Sequence, residues 1–368
     1  MMKRSLPFLL AALCLILAAC RVIPEPTETI EKNEPTLELT TAPIATTAQP
    51  VEPTTPALPA ATQPVTIQEN SSYFELIHQS SQPNFSRIVW SQDGTLIGLV
   101  SAENVSVLDS QTLDPLYTFS DPEVLVLDLS PDGHTLLSTV DQQTLLLTDL
   151  RTGDSRSMDT GGMFFSASFS PEGSLVLVGT TDNWKAKIYD SASGDLRKEL
   201  SGFESAAPVY SVRFAENVLD VLWISRGEVQ IQNIASGELK PAFSHEDFVN
   251  FVTRARALPL LVTASSAAVD NEFVPILDVW NPDSGEKLLE IKLNQAAYSG
   301  SFSKDDNLLA IGTAEGVHIF NTSDMSEQSL LSDHTNGVVD TRFSPSDDRL
   351  ATLDGNGELR IWQLVTQP

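Results

Sequence analysis

For residues 71–368 the sequence predicts an all-β fold of seven repeated units, and three observations carry that prediction. First, a short phrase recurs: "IVWSQDG", "LDLSPDG", "ASFSPEG", "VRFAENV", "VTRARAL", "GSFSKDD" and "TRFSPSDD". Aligned, these place equivalent positions at Trp90, Leu129, Phe169, Phe214, Arg254, Phe302 and Phe343, at spacings of 39, 40, 45, 40, 48 and 41. A period near 40 marks a repeat architecture. Second, each phrase joins an alternating apolar strand to a turn rich in Pro, Asp and Gly, followed by a second strand, a short polar turn and a third strand. Third, no segment shows a convincing helical period.

The chain begins with Lys3 and Arg4, an apolar run from Leu6 to Ala19, and the tetrapeptide Leu17-Ala18-Ala19-Cys20. Fourteen residues make about 21 Å of helix against a bilayer core of roughly 30 Å, too short to span. Residues 1–19 therefore read as a cleaved export signal. The L-A-A-C sequence resembles the bacterial lipobox, which implies that Cys20 takes a diacylglycerol and becomes the acylated N-terminus. Two or three acyl chains hold a protein on a membrane far more firmly than one. The expected location is the cell envelope, on a membrane and facing outside the cytoplasm.

Residues 20–70 form the second segment, and from Arg21 onward it is dominated by Pro, Thr, Ala and Glu. Prolines at 24, 26, 35, 43, 50, 53, 56, 59 and 64 remove amide donors and block helices, and no aromatic is present to seed a core. It reads as a disordered, acidic, fairly stiff stalk reaching at most about 155 Å.

Composition excludes several classes of chemistry. Cys14 and Cys20 are the only cysteines, so a processed and lipidated chain has no free thiol for a disulfide, a zinc thiolate site or a nucleophile. The formal charge of -27 makes nucleic acid and anionic lipid surfaces poor partners.

The repeat gives strands such as "AKIYD" (186–190), "ILDVW" (276–280), "VHIF" (317–320) and "LRIW" (359–362) at the third position of its units. Its period and strand count resemble the WD-repeat (WD40-type) β-propeller, most closely in the last unit, "DHTNGVVDTRFSPSDDRLATLDGNGELRIW". The resemblance places His334, Thr352 and Trp362 at the family's buried His, Ser/Thr and Trp, with Asn356 where the family usually has Asp. Only Trp280 and Trp362 keep the third-strand Trp, while Tyr189 and Phe320 substitute for it. The complete hydrogen-bonded tetrad is expected to be absent from most units. The resemblance implies seven four-stranded antiparallel blades. The last unit stops after its third strand, and "SYFELIHQS" (72–80) precedes the first, so this N-terminal strand is expected to complete the last blade and close the ring.

No constellation for catalysis, metal or cofactor emerges. His78, His134, His245, His318 and His334 fall in different units without ligand spacing. No "GxSxG", "HExxH", phosphate loop or dinucleotide fingerprint occurs, and the Ser-Pro-Asp-Gly stretches are turns. His334 reads as a structural hydrogen bonder, and His245 lies in an inter-blade loop with no assigned role. Two turns stand out: "TTDNWKAK", with Trp184 where Gly is expected, and the lengthened "SSAAVDNEFVP". By the resemblance both lie on the face often used for binding, which makes Trp184, Asp182, Asp270 and Glu272 the candidate contact residues; the alternative is that Trp184 folds back onto its own blade and the insertion is neutral. Asp141, Glu315 and Asp354 lie near the same turns, where acids usually bond to nearby backbone amides.

The sequence thus leads to a monomeric, non-catalytic, lipid-anchored propeller that binds an envelope protein or peptide. The alternative is a binder of cell-wall glycan or a small ligand, and the remoter one a propeller hydrolase or lyase.

Overall fold

The computed structural model describes residues 72–181, 184–201, 209–217, 219–225, 227–245, 248–269, 272–346 and 348–366. Cys20, the signal and the stalk, together with Asp182 and Asp270, lie outside the described residues, and of Glu272 only the backbone is described.

The described chain forms seven four-stranded antiparallel sheets. After β1 (Ser72–Ser81), blade 1 comprises β2 (Arg87–Trp90), β3 (Leu96–Val100), β4 (Asn104–Asp109) and β5 (Pro115–Ser120). Blade 2 comprises β6 (Leu125–Leu129), β7 (Thr135–Thr139), β8 (Thr144–Asp149) and β9 (Ser155–Asp159). Blade 3 has β10 (Phe164–Phe169), β11 (Leu175–Thr180), β12 (Ala186–Asp190) and β13 (Leu196–Leu200). Blade 4 has β14 (Val209–Phe214), β15 (Asp220–Ser225), β16 (Glu228–Asn233) and β17 (Phe243–Ser244). Blade 5 runs through β18 (Phe251–Arg254), β19 (Leu261–Val269), β20 (Glu272–Trp280) and β21 (Lys287–Lys292). Blade 6 runs through β22 (Ala297–Phe302), β23 (Leu308–Thr313), β24 (Val317–Asn321) and β25 (Glu327–Leu331), and blade 7 through β26 (Val338–Phe343), β27 (Arg349–Asp354) and β28 (Glu358–Thr366).

The seven positions aligned from sequence are the last residues of the seven inner strands. Each pairs with the residue seven positions on: Trp90 with Ile97, Leu129 with Leu136, Phe169 with Val176, and likewise around the ring to Phe343 with Leu350. In blades 1, 2, 3 and 6 a serine after the inner strand accepts the amide five residues on and helps fix this register. In blade 1, Ser91 Oγ donates to Asp93 Oδ1 (2.7 Å), Asp93 Oδ1 accepts the amide of Thr95, and Ser91 Oγ accepts the amide of Leu96. Gly94 supplies the positive φ of 74° that closes the turn. These bonds hold the Asp93 carboxyl below the usual carboxylate range, the Thr95 amide contributing most.

Inner strands of neighbouring blades do not share a backbone ladder, so two other devices join them. Apolar side chains form one cluster at every seam, as where Ile88, Ile97 and Leu108 of blade 1 meet Ala351, Leu353 and Ile361 of blade 7. Side-chain hydrogen bonds then stitch each seam to the backbone beyond it. Arg87 donates to the Leu127 carbonyl, Asp128 accepts the Phe169 amide, and Ser166 Oγ accepts the Val212 amide. Tyr210 donates to the Val249 carbonyl, Asn250 to the Ala297 carbonyl, and Ser301 accepts the Phe343 amide. The ring closes where Asp340 accepts the Ile88 amide (2.8 Å) and Trp90 Nε1 donates to the Arg342 carbonyl (2.9 Å).

Blade 7 takes its outer strand from the other end of the described chain: β1 pairs antiparallel with β28 from Ser72↔Thr366 to Ser81↔Glu358, with one bulge between Leu76 and His78. Phe74 adds a ring contact to Phe343 (6.1 Å between centroids), anchoring the strand on the apolar cluster beneath. The N-terminal strand therefore covers an edge that β28 would otherwise leave open.

Candidate functional site

The upper face of the ring is made by the turns between second and third strands and by the connections from each outer strand to the next inner strand. Backbone bonds tie the two sets together: the Phe164 amide to the Gln142 carbonyl, the His245 amide to the Gly227 carbonyl, the Gly355 amide to the Asn336 carbonyl. Large apolar side chains stand exposed here, among them Leu125, Val140 (59%), Met163 (51%), Phe248 and Tyr298 (51%). Leu125 pairs with Thr139, the neighbour of Val140, and the amide of Phe164, next to Met163, donates to the carbonyl of Gln142, two residues from Val140, so three of these residues lie in one region across blades 2 and 3. Phe248 and Tyr298 flank blade 5.

The lengthened turn of blade 5 is not a loop. Its residues continue the ladder from Ser265↔Ile276 to Val269↔Glu272, so β19 and β20 form a hairpin of two nine-residue strands that extends past the strands of its neighbours. β-Branched and small residues sustain the pairing, and Pro275 lies within the stretch. Glu272 is the first residue of β20, at the tip of this hairpin.

Of its two possible placements, Trp184 takes the folded-back one. It adopts φ = 50° in the position where a glycine would be unstrained, and its ring folds back to pack on Phe165 (5.8 Å, 60°), half-buried against the cluster between blades 3 and 4. The physical reason is area: an indole next to an apolar seam gains more by burial than by solvation. Asp141 is occupied as a turn acid, accepting the Gln143 and Thr144 amides (2.9 and 2.8 Å), which hold its carboxyl below the usual range.

In blade 7, His334 Nε2 lies 2.7 Å from Thr352 Oγ1, which also accepts from Trp362 Nε1 at 2.9 Å. The acid of this group is Asp354, not Asn356: Asp354 Oδ2 lies 3.3 Å from His334 Nδ1, and its Oδ1 accepts the amides of Asn356 and Glu358. The Asn356 side chain instead accepts from Asn336 on the surface. An acid at the end of β27 can reach both the imidazole and the turn amides, which a residue at the turn's apex cannot. Arg360 stands 2.7 Å from His334 Nδ1. A guanidinium only donates, so that contact makes Nδ1 an acceptor, leaves the imidazole proton on Nε2 directed at Thr352, and lets Asp354 Oδ2 face Nδ1 with no proton between them, its charge partner being Arg360 at 3.8 Å. Burial, and after it the Arg360 charge, push the His334 pKa below its ordinary value, in keeping with a neutral ring.

His245 builds a second such group that sequence reading did not recognise. It sits 18 residues before Thr263, as His334 sits 18 before Thr352, and that spacing was the signal available. Thr263 Oγ1 accepts from Trp280 Nε1 (2.9 Å), and the His245 ring stands edge-on to Trp280 at 5.5 Å. Its carboxylate is Asp278 (3.3 Å), in turn paired with Lys287 at 2.9 Å. Burial opposes ionisation of Asp278, but His245 and Lys287 outweigh it and hold its carboxyl below the usual range.

The central channel is the second notable region. A cavity of about 600 Å³ runs along the inner strands to the lower-face turns, lined by Arg87, Arg213, Arg254, Arg256, Lys304 and Arg342 and by the carboxylates Asp128, Glu216 and Asp306. Six of the chain's 22 basic residues therefore line one cavity in a protein of formal charge -27. Among the described residues no three His, Cys, Asp or Glu side chains form a metal-holding group.

No curated protein matches the chain. Residues 325–363 match the family model of the WD domain, G-beta repeat, a frame that starts before the outer strand of blade 6 and ends in β28, because repeat and blade are out of phase by one strand. The chain is a seven-bladed β-propeller, and residues 325–363 within it match the WD, G-beta repeat.

Proposed function

We propose that this protein is a lipid-anchored, extracytoplasmic scaffold that docks a protein partner on the upper face of its propeller, acting without catalysis. Propellers of this type commonly serve as protein-interaction scaffolds, and the observation that carries the reading here is the β19–β20 hairpin. It rises beside Phe248 and Tyr298 on the face where Leu125, Val140 and Met163 are also exposed. A projecting hairpin next to exposed apolar side chains offers both backbone and apolar contact to a partner segment. The lipobox at Cys20 and the Pro-rich stalk support placement on a membrane outside the cytoplasm. Confinement there raises the effective concentration of a membrane partner into the millimolar range, so modest affinity suffices.

Two experiments test this. Metabolic labelling with palmitate, followed by membrane fractionation, should mark the wild type and not Cys20→Ala, which should leave the membrane fraction. Crosslinked recovery from the envelope should yield a discrete partner that a Val140→Asp/Met163→Asp variant loses and a lower-face Leu219→Asp variant keeps. Recovery unaffected by the upper-face changes would refute the assignment of that face.

A further inference from the structure

The central channel contains a guanidinium, that of Arg213, which no described residue engages by a hydrogen bond or an ion pair. Side chains of a strand alternate between its two faces, and the shared seven-residue register brings the penultimate residues of the inner strands to one level around the channel. Asp128, Ser168, Arg213 and Arg342 belong to that layer. Arg342 is paired with Asp340 (3.2 Å), and Arg87, one alternation away from the layer, with Asp128 (3.2 Å). Arg213 makes no hydrogen bond or ion pair with any described residue, and its Nε is enclosed without a partner. On the adjacent inner strand, Ser168 Oγ is likewise buried without a partner. Both line the same 600 Å³ cavity.

Desolvation, reinforced by the Arg342 charge and only partly offset by the Glu216 and Asp340 carboxylates, which make no ion pair with it, pulls the Arg213 guanidinium down to about 10, so it remains charged at neutral pH but at a cost. Interior charges are normally paired, and an orphaned donor in a folded protein points to a bound water or ion. Several cations around a narrow cavity concentrate anions there despite the acidic exterior.

We propose that Arg213 and Ser168 hold a small oxyanion in the central channel, the carboxylate, sulfate or phosphate group of a soluble solute. The guanidinium fork matches the oxygen pair of such a group, and the serine hydroxyl adds one donor from the neighbouring blade. This site is independent of the upper-face docking reading.

The test is thermal unfolding of the full-length protein during titration with sodium phosphate, sodium sulfate or sodium citrate, each against sodium chloride of equal ionic strength. At least one of the three should raise the melting temperature saturably. Ser168→Ala should shift that titration to roughly tenfold higher concentration. Arg213→Met should abolish the response and also melt higher than wild type in chloride alone, because it removes a half-buried charge without an ion-pair partner. No specific rise with any of the three anions, or an undiminished rise in both variants, would overturn the proposal.

Discussion

Blades 5 and 7 share one internal frame and put it to different uses. In both, a tryptophan on the third strand donates to a threonine on the second, and a histidine 18 residues before that threonine packs into the group. The acid differs. In blade 7 it is Asp354, two residues after Thr352, where it also accepts two amides and closes a tight turn. In blade 5 the equivalent position is Ser265, and the acid has moved across the ladder to Asp278, which pairs with Thr263 as Arg360 pairs with Thr352. With the acid no longer needed in the turn, the ladder runs on through Ser265↔Ile276 into the extended hairpin. Blade 7 closes the ring; blade 5 projects from it. The histidine group is thus compatible with either a short turn or a long hairpin, and the position of the carboxylate decides which.

Deleting residues 72–81 should have the largest effect on this contrast, since it strips the outer strand from blade 7 and exposes β28. The full-length protein should lose its cooperative melt by circular dichroism, whereas an unchanged melting temperature would show that closure does not hold the ring. Next in size, Thr352→Val leaves both His334 Nε2 and Trp362 Nε1 unpaired in the interior, at about 3 kcal/mol by denaturant unfolding. Thr263→Val deprives only Trp280 of its acceptor and should cost about half as much, roughly 1.5 kcal/mol. Equal losses would mean that the two groups are energetically alike.

Acid should separate the two blades again. Because burial and then Arg360 depress the His334 pKa, the unfolded chain takes up a proton below about pH 6.5 that the folded chain refuses. The stability tied to His334 is complete above that pH and declines as pH falls toward the folded value, by at most about 1.4 kcal/mol per unit. His334→Gln should flatten this slope in pH-dependent melts. Asp278 behaves oppositely in range: its carboxyl is held low, so its contribution stands above about pH 4 and is lost only as pH falls through the depressed folded value. Smallest of all, Lys287→Met breaks a half-exposed pair with Asp278 but keeps an apolar stem near Trp280, and should cost under about 1 kcal/mol.

Much of this architecture was legible because turn chemistry and alternation are local. Short turns after the recurring inner-strand phrase, Ser-x-Asp-Gly in blades 1 and 2, let the seven aligned positions fall on the seven inner-strand ends, and the third-strand end of the last unit pointed to residues 72–80 as its cover. What escaped depended on contacts between blades. The sequence left Trp184 open between exposure and folding back because it does not show Phe165 beside it. Asn356 read as the tetrad acid because turn position, not reach, was compared. The hairpin of blade 5 read as a loop because alternation fades in "SSAAVDNEFVP" while the backbone ladder persists. Arg213 and Arg342 stood in plain view within "VRFAENV" and "TRFSPSDD", yet only the ring brings them to one level.

The most direct test of the account is crosslinked partner recovery from the envelope with the β19–β20 hairpin cut back to the length of its neighbour, residues 266–275 being replaced by the four residues 313–316 of blade 6. Because Thr263, Trp280 and His245 are retained, the shortened protein should melt close to wild type. The account predicts that it no longer recovers the partner that the wild type does. Undiminished recovery by a folded, shortened protein would contradict it.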